Sequence, residues 1–355
     1  MSDFRFKRLE RYRVGGTGDK MELSIPIPKT SSGKEYRLCP ISECIPRLFL
    51  FGDAPAERKI SEENIERVRR QPGTPGTTCP YCGNDAPDRD FIHPEDIEAA
   101  KEYIKWAASQ DIGEYIEDLA KDFNQKMKKV GQSLFSVEID VKHAKLSRPY
   151  VWREDLLRNL ACDVCGREYG VYAVALYCPD CGSPNVHVHI QREMELIKQQ
   201  ISMAEKIASD GDKELAYRLL GNAHEDVLTV FETYLKTIYR FLVKGQLPSE
   251  KAKKLVTKQA IGNRFQNIER GRELFNNIGV DPFDCLSSDN LDILRLNIEK
   301  RHVVGHNLSV ADEAYVAVTQ SEQPGRTVNL LANEINQFAE ISLSIVLRLE
   351  KLLRQ

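Results

Sequence analysis

No run of about 18 apolar residues occurs anywhere in this chain, so no membrane-spanning helix is expected. An excess of charge of one sign is missing too: 50 Lys and Arg stand against 53 Asp and Glu, a formal net charge of −3. Nothing global therefore announces a polyanionic partner, and any site for one must be a local patch. The N-terminus, Met1-Ser2-Asp3-Phe4-Arg5-Phe6, lacks the apolar core of a signal peptide. A cytoplasmic, reducing location is the expectation, and there paired cysteines read as metal ligands before disulfides. What is present is 355 residues with 41% hydrophobic and 29% charged content, enough for two or three globular domains.

Eight of the nine cysteines fall into four pairs: Cys39/Cys44, Cys79/Cys82, Cys162/Cys165 and Cys178/Cys181. Cys162-x-x-Cys165-Gly and Cys178-Pro-Asp-Cys181-Gly flank 12 residues, a spacing that suits a small zinc ribbon, with a hairpin expected over 169–177. Cys79-Pro-Tyr-Cys82-Gly is an equally good knuckle. It pairs with Cys39-x-x-x-x-Cys44 across a 34-residue insertion that holds Leu48-Phe49-Leu50-Phe51 and a charged helix over 61–70. A catalytic zinc keeps an open position or a His or carboxylate ligand, whereas four thiolates close the site. Both zincs are accordingly expected to be structural, each standing in for a core too small to fold alone. A redox role for the Cys-x-x-Cys pairs is the weaker reading. His187 and His189 alternate on what reads as a strand, either as spare ligands or, more simply, as polar residues on one strand face. Cys285 is left over and reads as a buried small hydrophobe.

Between the modules, His93-Pro94-Glu95-Asp96 opens a helix, with Pro at the first helical position and acids in the first turn. A second helix is predicted from Gly113 to Lys129, with Ile116, Leu119, Phe123 and Met127 on one face. Met21 to Pro28 and 134–139 read as strands. At the N-terminus Phe4, Arg5, Phe6, Lys7, Arg8, Arg11, Tyr12 and Arg13 interleave bases with aromatics. That pattern suits either a phosphate-tracking arm or, more simply, an edge element with a charged outer face.

From Gln191 the pattern is helical to the end. A helix carries Met194, Ile197, Ile201 and Ala204, and a longer one carries Leu219, Ala223, Val227, Val230, Tyr234, Ile238 and Phe241 at spacings of three and four. The basic segment from Lys251 to Arg272 presents either a phosphate-binding or a merely solvated face. The next helix, after Ser287 and Ser288, ends in Arg301-His302-Val303-Val304-Gly305-His306-Asn307. A polar loop over 311–326 and a last helix follow.

Arg301 and His306 supply the two capacities that RNA cleavage needs without a metal. A histidine titrates near neutrality and can take or return a proton, and an arginine matches phosphate oxygens with a permanently charged fork. On spacing alone a solvated Arg and His at a helix end is the bland alternative. Five residues apart, they lie about 140° around a regular helix, so they share a site only if the helix distorts or a second subunit contributes.

The pattern from Asn222-Ala-His-Glu-Asp-Val to Tyr239-Arg240, the 265–279 segment and Lys300-Arg-His-Val-Val-Gly-His-Asn307 resembles the HEPN superfamily. Its motif is an arginine, four to six residues, and a histidine. The resemblance covers roughly 195–355. It implies an all-α bundle, a homodimer with facing motifs, and a metal-independent endoribonuclease. It assigns His306 as general base or acid, Arg301 as the stabiliser of phosphorane charge and His302 as an accessory. It also implies a role in phage defence or as a toxin, with a sensing or antitoxin partner. A subgroup carries a partner-modified tyrosine two residues after the histidine; here that position is Leu308, so that regulation is not carried over.

The expected architecture is α+β and multidomain: a zinc-binding module over 1–92, a helical connector over 93–133, a zinc ribbon over 134–190 and a HEPN-like helical domain over 191–355. The rival reading is a non-catalytic zinc-containing module that binds nucleic acid or protein. A zinc-dependent enzyme is disfavoured by the all-Cys ligand sets.

Overall fold

The computed structural model describes residues 4–17, 20–55, 60–130, 138–155, 158–306, 309–319 and 323–354. It is a mixed α+β chain, with small sheets in the N-terminal half and a largely helical C-terminal region. Among the described residues no helix is long and apolar enough to cross a membrane.

The cysteine modules are built on one sheet. Strands β3 (Glu35–Leu38) and β4 (Leu48–Phe51) form one hairpin, the two-residue β5 (Thr77–Thr78) and β6 (Asp85–Ala86) pair around the Cys79/Cys82 knuckle, and β7 (Asn159–Ala161) and β8 (Glu168–Val171) form another hairpin. The two join through β4 and β8 into an antiparallel sheet of order β3-β4-β8-β7. Phe49 sits opposite Val171 and Leu50 opposite Gly170. Phe49, Leu50 and Tyr169 are fully buried there. Each hairpin turn carries the first cysteine pair of its module, because Cys39 and Cys44 lie between β3 and β4 as Cys162 and Cys165 lie between β7 and β8. The second pairs then bond to each other reciprocally: Thr78 N donates to Pro179 O at 2.9 Å and Tyr177 N to Pro80 O at 3.1 Å. The two halves thus share one plan. The hairpin expected over 169–177 is not formed, because β8 takes its partners from β4 and β7 instead.

The short α1 (Lys7–Glu10) and the two-stranded β1 (Arg13–Gly15) and β2 (Glu22–Leu23) pack on α2 (Pro94–Val130) through Leu9, Tyr103 and Ala107. Only two residues of the strand expected over 21–28 pair, since Pro26 and Pro28 cannot extend the ladder. The 61–70 helix shrinks to a 3₁₀ turn, Glu62–Arg67, with no buried residue to anchor it.

Two helices expected before Lys129 are one. α2 runs through Gly113, whose cost of about 1 kcal/mol does not break a long helix. Gly113 has a different use: a Cβ there would sit 2.6 Å from the ring of His143. His143 belongs to an extended strap, 138–155, that runs back antiparallel along α2. Asn124 bonds Ile139, Glu117 accepts from His143 N, Gln110 donates to Ala144 O, Trp106 Nε1 donates to Leu146 O, and Asp96 accepts from Arg153. The lengths agree: 28 helical residues, 124 to 96, rise about 42 Å, and 14 extended residues, 139 to 153, about 46 Å. The strand expected over 134–139 is therefore not formed at Glu138 and Ile139, and 134–137 lie outside the described residues.

The helical region starts at α3 (Val186–Ser209), earlier than Gln191, so His187 and His189 lie in a helix and not on a strand face. Helical spacing from Val186 through Ile190, Met194, Ile197 and Ile201 buries one stripe, and that gain outweighs the local His-x-His alternation. α4 (Lys213–Gln246) follows after Asp212 caps it by accepting from Leu215 N at 3.0 Å, a bond of about 1 kcal/mol. The short α5 (Ser249–Leu255), α6 (Lys258–Ile261) and α7 (Ile268–Asn276) lead to α8 (Ser288–His306). The 311–326 stretch holds a helix, α9 (Glu313–Thr319), because Ala311, Tyr315 and Val328 bury Val303 of α8. α10 (Ala332–Glu350) closes the bundle against α3, α4 and α8. The main core is continuous from Val174, Leu176 and Tyr177 beside the second cysteine centre into α3, α4 and α10.

Candidate functional sites

Two constellations stand out. The first is the pair of cysteine centres. Cys39, Cys44, Cys79 and Cys82 converge, as do Cys162, Cys165, Cys178 and Cys181, with all sulfurs of a group within 4.8 Å of one another. Neighbouring sulfurs lie 3.7 Å apart for Cys39/Cys82 and Cys44/Cys79, 3.8 Å for Cys162/Cys181 and 3.6 Å for Cys165/Cys178. A disulfide needs about 2.05 Å, whereas tetrahedral zinc with sulfurs at about 2.3 Å places them roughly 3.8 Å apart. The donor set and its spacing fit two structural zinc ions. The knuckle glycines serve this geometry: Gly83, Gly166 and Gly182 all take φ near +70°, at 71, 67 and 69°. Each donates its N–H to the first cysteine's carbonyl, at 2.9, 2.8 and 3.1 Å. Cys285, in contrast with the buried residue expected, is exposed on the turn before α8, away from both centres.

His187 is no ligand. Its Nδ1 donates to Glu350 of α10 at 3.0 Å and its Nε2 to Asp163, inside the Cys162/Cys165 knuckle, at 3.0 Å. Burial pulls this histidine down, but the two carboxylates outweigh it and lift it to about 9. His189 is buried between Ala175 N and Glu193, also away from the thiols.

The second constellation lies where α8 passes α4 and the 263–270 segment. A cleft of about 160 Å³ is lined by Arg301, His302, Glu299, Arg270, Asn263 and Asn267, with Gln266, Leu228 and Ile298 at its floor. α8 positions Arg301 because its neighbours along the helix are fixed. Leu294 and Ile298 enter the core, and Lys300 is held by Glu334 at 2.7 Å and Asn329 O at 3.0 Å. Arg301 then presents Nε to Glu225 Oε1 of α4 at 3.6 Å. Its two Nη groups have no hydrogen-bond partner among the described residues, so the bidentate edge of the fork is left to a ligand. Arg270 is exposed on the facing wall. Of the basic segment it alone lines the cleft, while Arg272 pairs with Asp281 at 3.1 Å and Arg264 with Glu273 at 4.0 Å.

Beneath the cleft, His224 is fully buried against Phe338 and donates from Nε2 to Asn297 Oδ1 at 3.1 Å. Asn297 Nδ2 donates to Ile293 O, which fixes its oxygen as the acceptor. His224 Nδ1 has no partner among the described residues. Burial pushes this imidazole down to about 4, against the bond to Asn297, and nearby Lys300 adds to the fall. His224 is therefore a neutral core residue that braces α4 against α8.

Of the three residues expected at this site, Arg301 and His302 line the same cleft. α8 is helical through His306, but the side chain of His306 lies outside the described residues. Glu225, Gln266 and Asn267 fall in segments that carried the resemblance but were given no role, Asn263 lies just before one of them, and Arg270 was read only as one cation of the basic segment. The one sequence signal for Glu225 is its place on the polar edge of α4, three residues before the buried Leu228. Comparison with family models, with curated proteins and with solved structures gave no match.

Proposed function

We propose that the chain is a metal-independent endoribonuclease acting as a homodimer, with a HEPN-like helical domain as its catalytic unit. The observation that carries this reading is the cleft in which the Glu225-oriented Arg301 fork, Arg270 and His302 face one space. Two guanidinium groups and a ring of amides suit a phosphodiester, since every donor there meets phosphate oxygens or sugar hydroxyls. In the reaction the 2′-hydroxyl loses its proton to a histidine base and O2′ bonds to phosphorus. The P–O5′ bond then breaks and O5′ takes a proton. Arg301 meets the charge gained by the non-bridging oxygens. His306 serves as base or acid, and His302 orients the phosphate or shares the proton. Along a regular helix Arg301 and His306 point about 140° apart, which favours a site completed by the second copy's motif. The products are a 2′,3′-cyclic phosphate and a 5′-hydroxyl, and DNA resists. A defence or toxin role accords with such a nuclease, with the zinc modules as its targeting part.

The test is incubation with a labelled mixed RNA pool in EDTA, beside the Arg301→Ala/His306→Ala protein. Cleavage by the native protein alone, with cyclic-phosphate ends, is expected. Equal cleavage by a folded double variant would end the proposal. The second reading, a non-catalytic binding module, draws support from the cysteine centres, whose four thiolates leave no open position for chemistry. It predicts RNA retention without cleavage in the same assay.

A further inference from the structure

On the face formed by α1, α2 and the strap, the sequence's scattered aromatic and basic residues become a continuous row. Tyr12 packs edge-on against Tyr103 at 5.7 Å and Tyr103 tilts against Trp106 at 5.6 Å, centroid to centroid. Guanidinium groups alternate with these rings: Arg11 lies 4.7 Å over Tyr12, Arg148 4.9 Å over Tyr103, and Arg8 6.0 Å over Trp106. Arg11 also donates to the Tyr103 hydroxyl at 2.6 Å. The row lies along two adjoining grooves of about 500 and 530 Å³, with Arg148 lining both. Tyr150, 85% exposed, stands at the wall of the first with no aromatic partner among the described residues.

Charge selects the occupant. The two grooves are lined by five cationic side chains and one carboxylate, Glu114; Arg8 is taken by Glu114 and the buried Asp111 and Lys29 lies 3.8 Å from Glu35, so Lys7, Arg11 and Arg148 carry the groove's positive charge. That concentration stands out in a chain whose net charge is −3. Tyr103 is buried at the base of the row, Tyr12 and Trp106 are half-buried and Tyr150 is exposed; ring edges and one free ring set among guanidiniums along an open groove are the arrangement that stacks bases and tracks a phosphate backbone without reading sequence. An acidic peptide would satisfy the charges but leave the rings unstacked. We propose that this groove binds a single-stranded polynucleotide. The choice of RNA over DNA as the natural occupant rests on the ribonuclease reading, which would make the groove the holding site for a substrate cut at Arg301.

The experiment is fluorescence anisotropy of a labelled 2′-fluoro oligouridine of about 12 nucleotides, which has no 2′-hydroxyl to cleave, with the full chain. Tight, salt-sensitive binding is expected. Tyr150→Ala and Arg148→Ala should each weaken it by about tenfold, and Tyr150→Phe should retain it. Neither side chain is buried in a core, so both variants should fold, which circular dichroism and melting temperature check. Oligothymidine should bind comparably, since the groove reads rings and phosphates. Native affinity in both alanine variants, or tighter binding of an oligoglutamate peptide, would overturn the proposal. Cleavage by the native protein is read separately, on a dinucleotide. Absence of cleavage alongside Tyr150-dependent binding would sink the ribonuclease reading and leave the groove intact.

Discussion

Arg301 turns its Nε toward Glu225, 3.6 Å away on the neighbouring helix, and keeps its outer edge for the cleft. The pair is partly exposed, so its contribution to stability is small; its use lies in aiming the fork. Glu225→Ala is expected to lower kcat on RNA by about tenfold, well short of the roughly 10²–10³-fold loss from removing Arg301 itself. Gly305→Ala should act in the same direction, because a Cβ there would lie 2.4 Å from Glu225 Oε1 and push the carboxylate aside. Melting temperatures should barely move for either, since the displaced atom ends a mobile side chain. Full activity in both variants would remove Glu225 from the account.

Thiol counting tests the two centres. The native protein should carry two zinc ions by elemental analysis and offer a thiol reagent one fast-reacting group, the exposed Cys285. Strong chelation should release the remaining eight thiols together with the metal. Eight slow thiols with no zinc released would contradict the assignment.

His224 sets a pH dependence. Its folded value near 4 lies below the ordinary 6.5, so between those values the unfolded chain binds the extra proton. Stability at this residue is then full above about pH 6.5 and falls by about 3 kcal/mol as the pH drops to 4. His224→Gln should be less stable at neutral pH, having lost its contact with Phe338, yet flatter across that window. Denaturant midpoints at pH 7 and pH 4.5 decide it; parallel profiles would refute the role.

Glu350 tethers the helical bundle to the second centre. Glu350 is 3% exposed, and its carboxylate accepts from both the backbone N–H, at 2.6 Å, and Nδ1 of His187. Glu350→Ala should cost about 1–3 kcal/mol by stranding those donors. Because Leu176 and Tyr177 belong to the helical core, zinc withdrawal should also lower the melting temperature of the bundle. A helical transition indifferent to chelation would show the two regions to be independent.

What could be read from the sequence was what is local. Cys-x-x-Cys-Gly states its chemistry within five residues, and the amphipathic stripes of α3, α4 and α10 show at spacings of three and four. Pairing of β4 with β8 joins residues some 120 positions apart, and nothing in either strand announces the other. His187 and His189 looked like a strand because two alternating residues weigh little until the stripe from Val186 to Ile201 is seen buried. Gly113 looked like a break because its need, the close approach of His143, lies 30 residues away. At the site, Arg301 and His302 were legible as a motif. Glu225 was not, and Arg270 showed only as one cation of a basic segment, since helix packing alone brings them to the same space.

The strap along α2 works as a ruler laid against a screw. One extended residue advances as far as about two helical ones, and that shift is also more than half a turn. Removing a single residue between Ile139 and Arg153 would therefore carry the downstream contacts to the wrong side of the helix as well as to the wrong height. Side chains along this stretch can be exchanged one at a time, but its length is fixed, and an insertion here would be felt at every contact that follows.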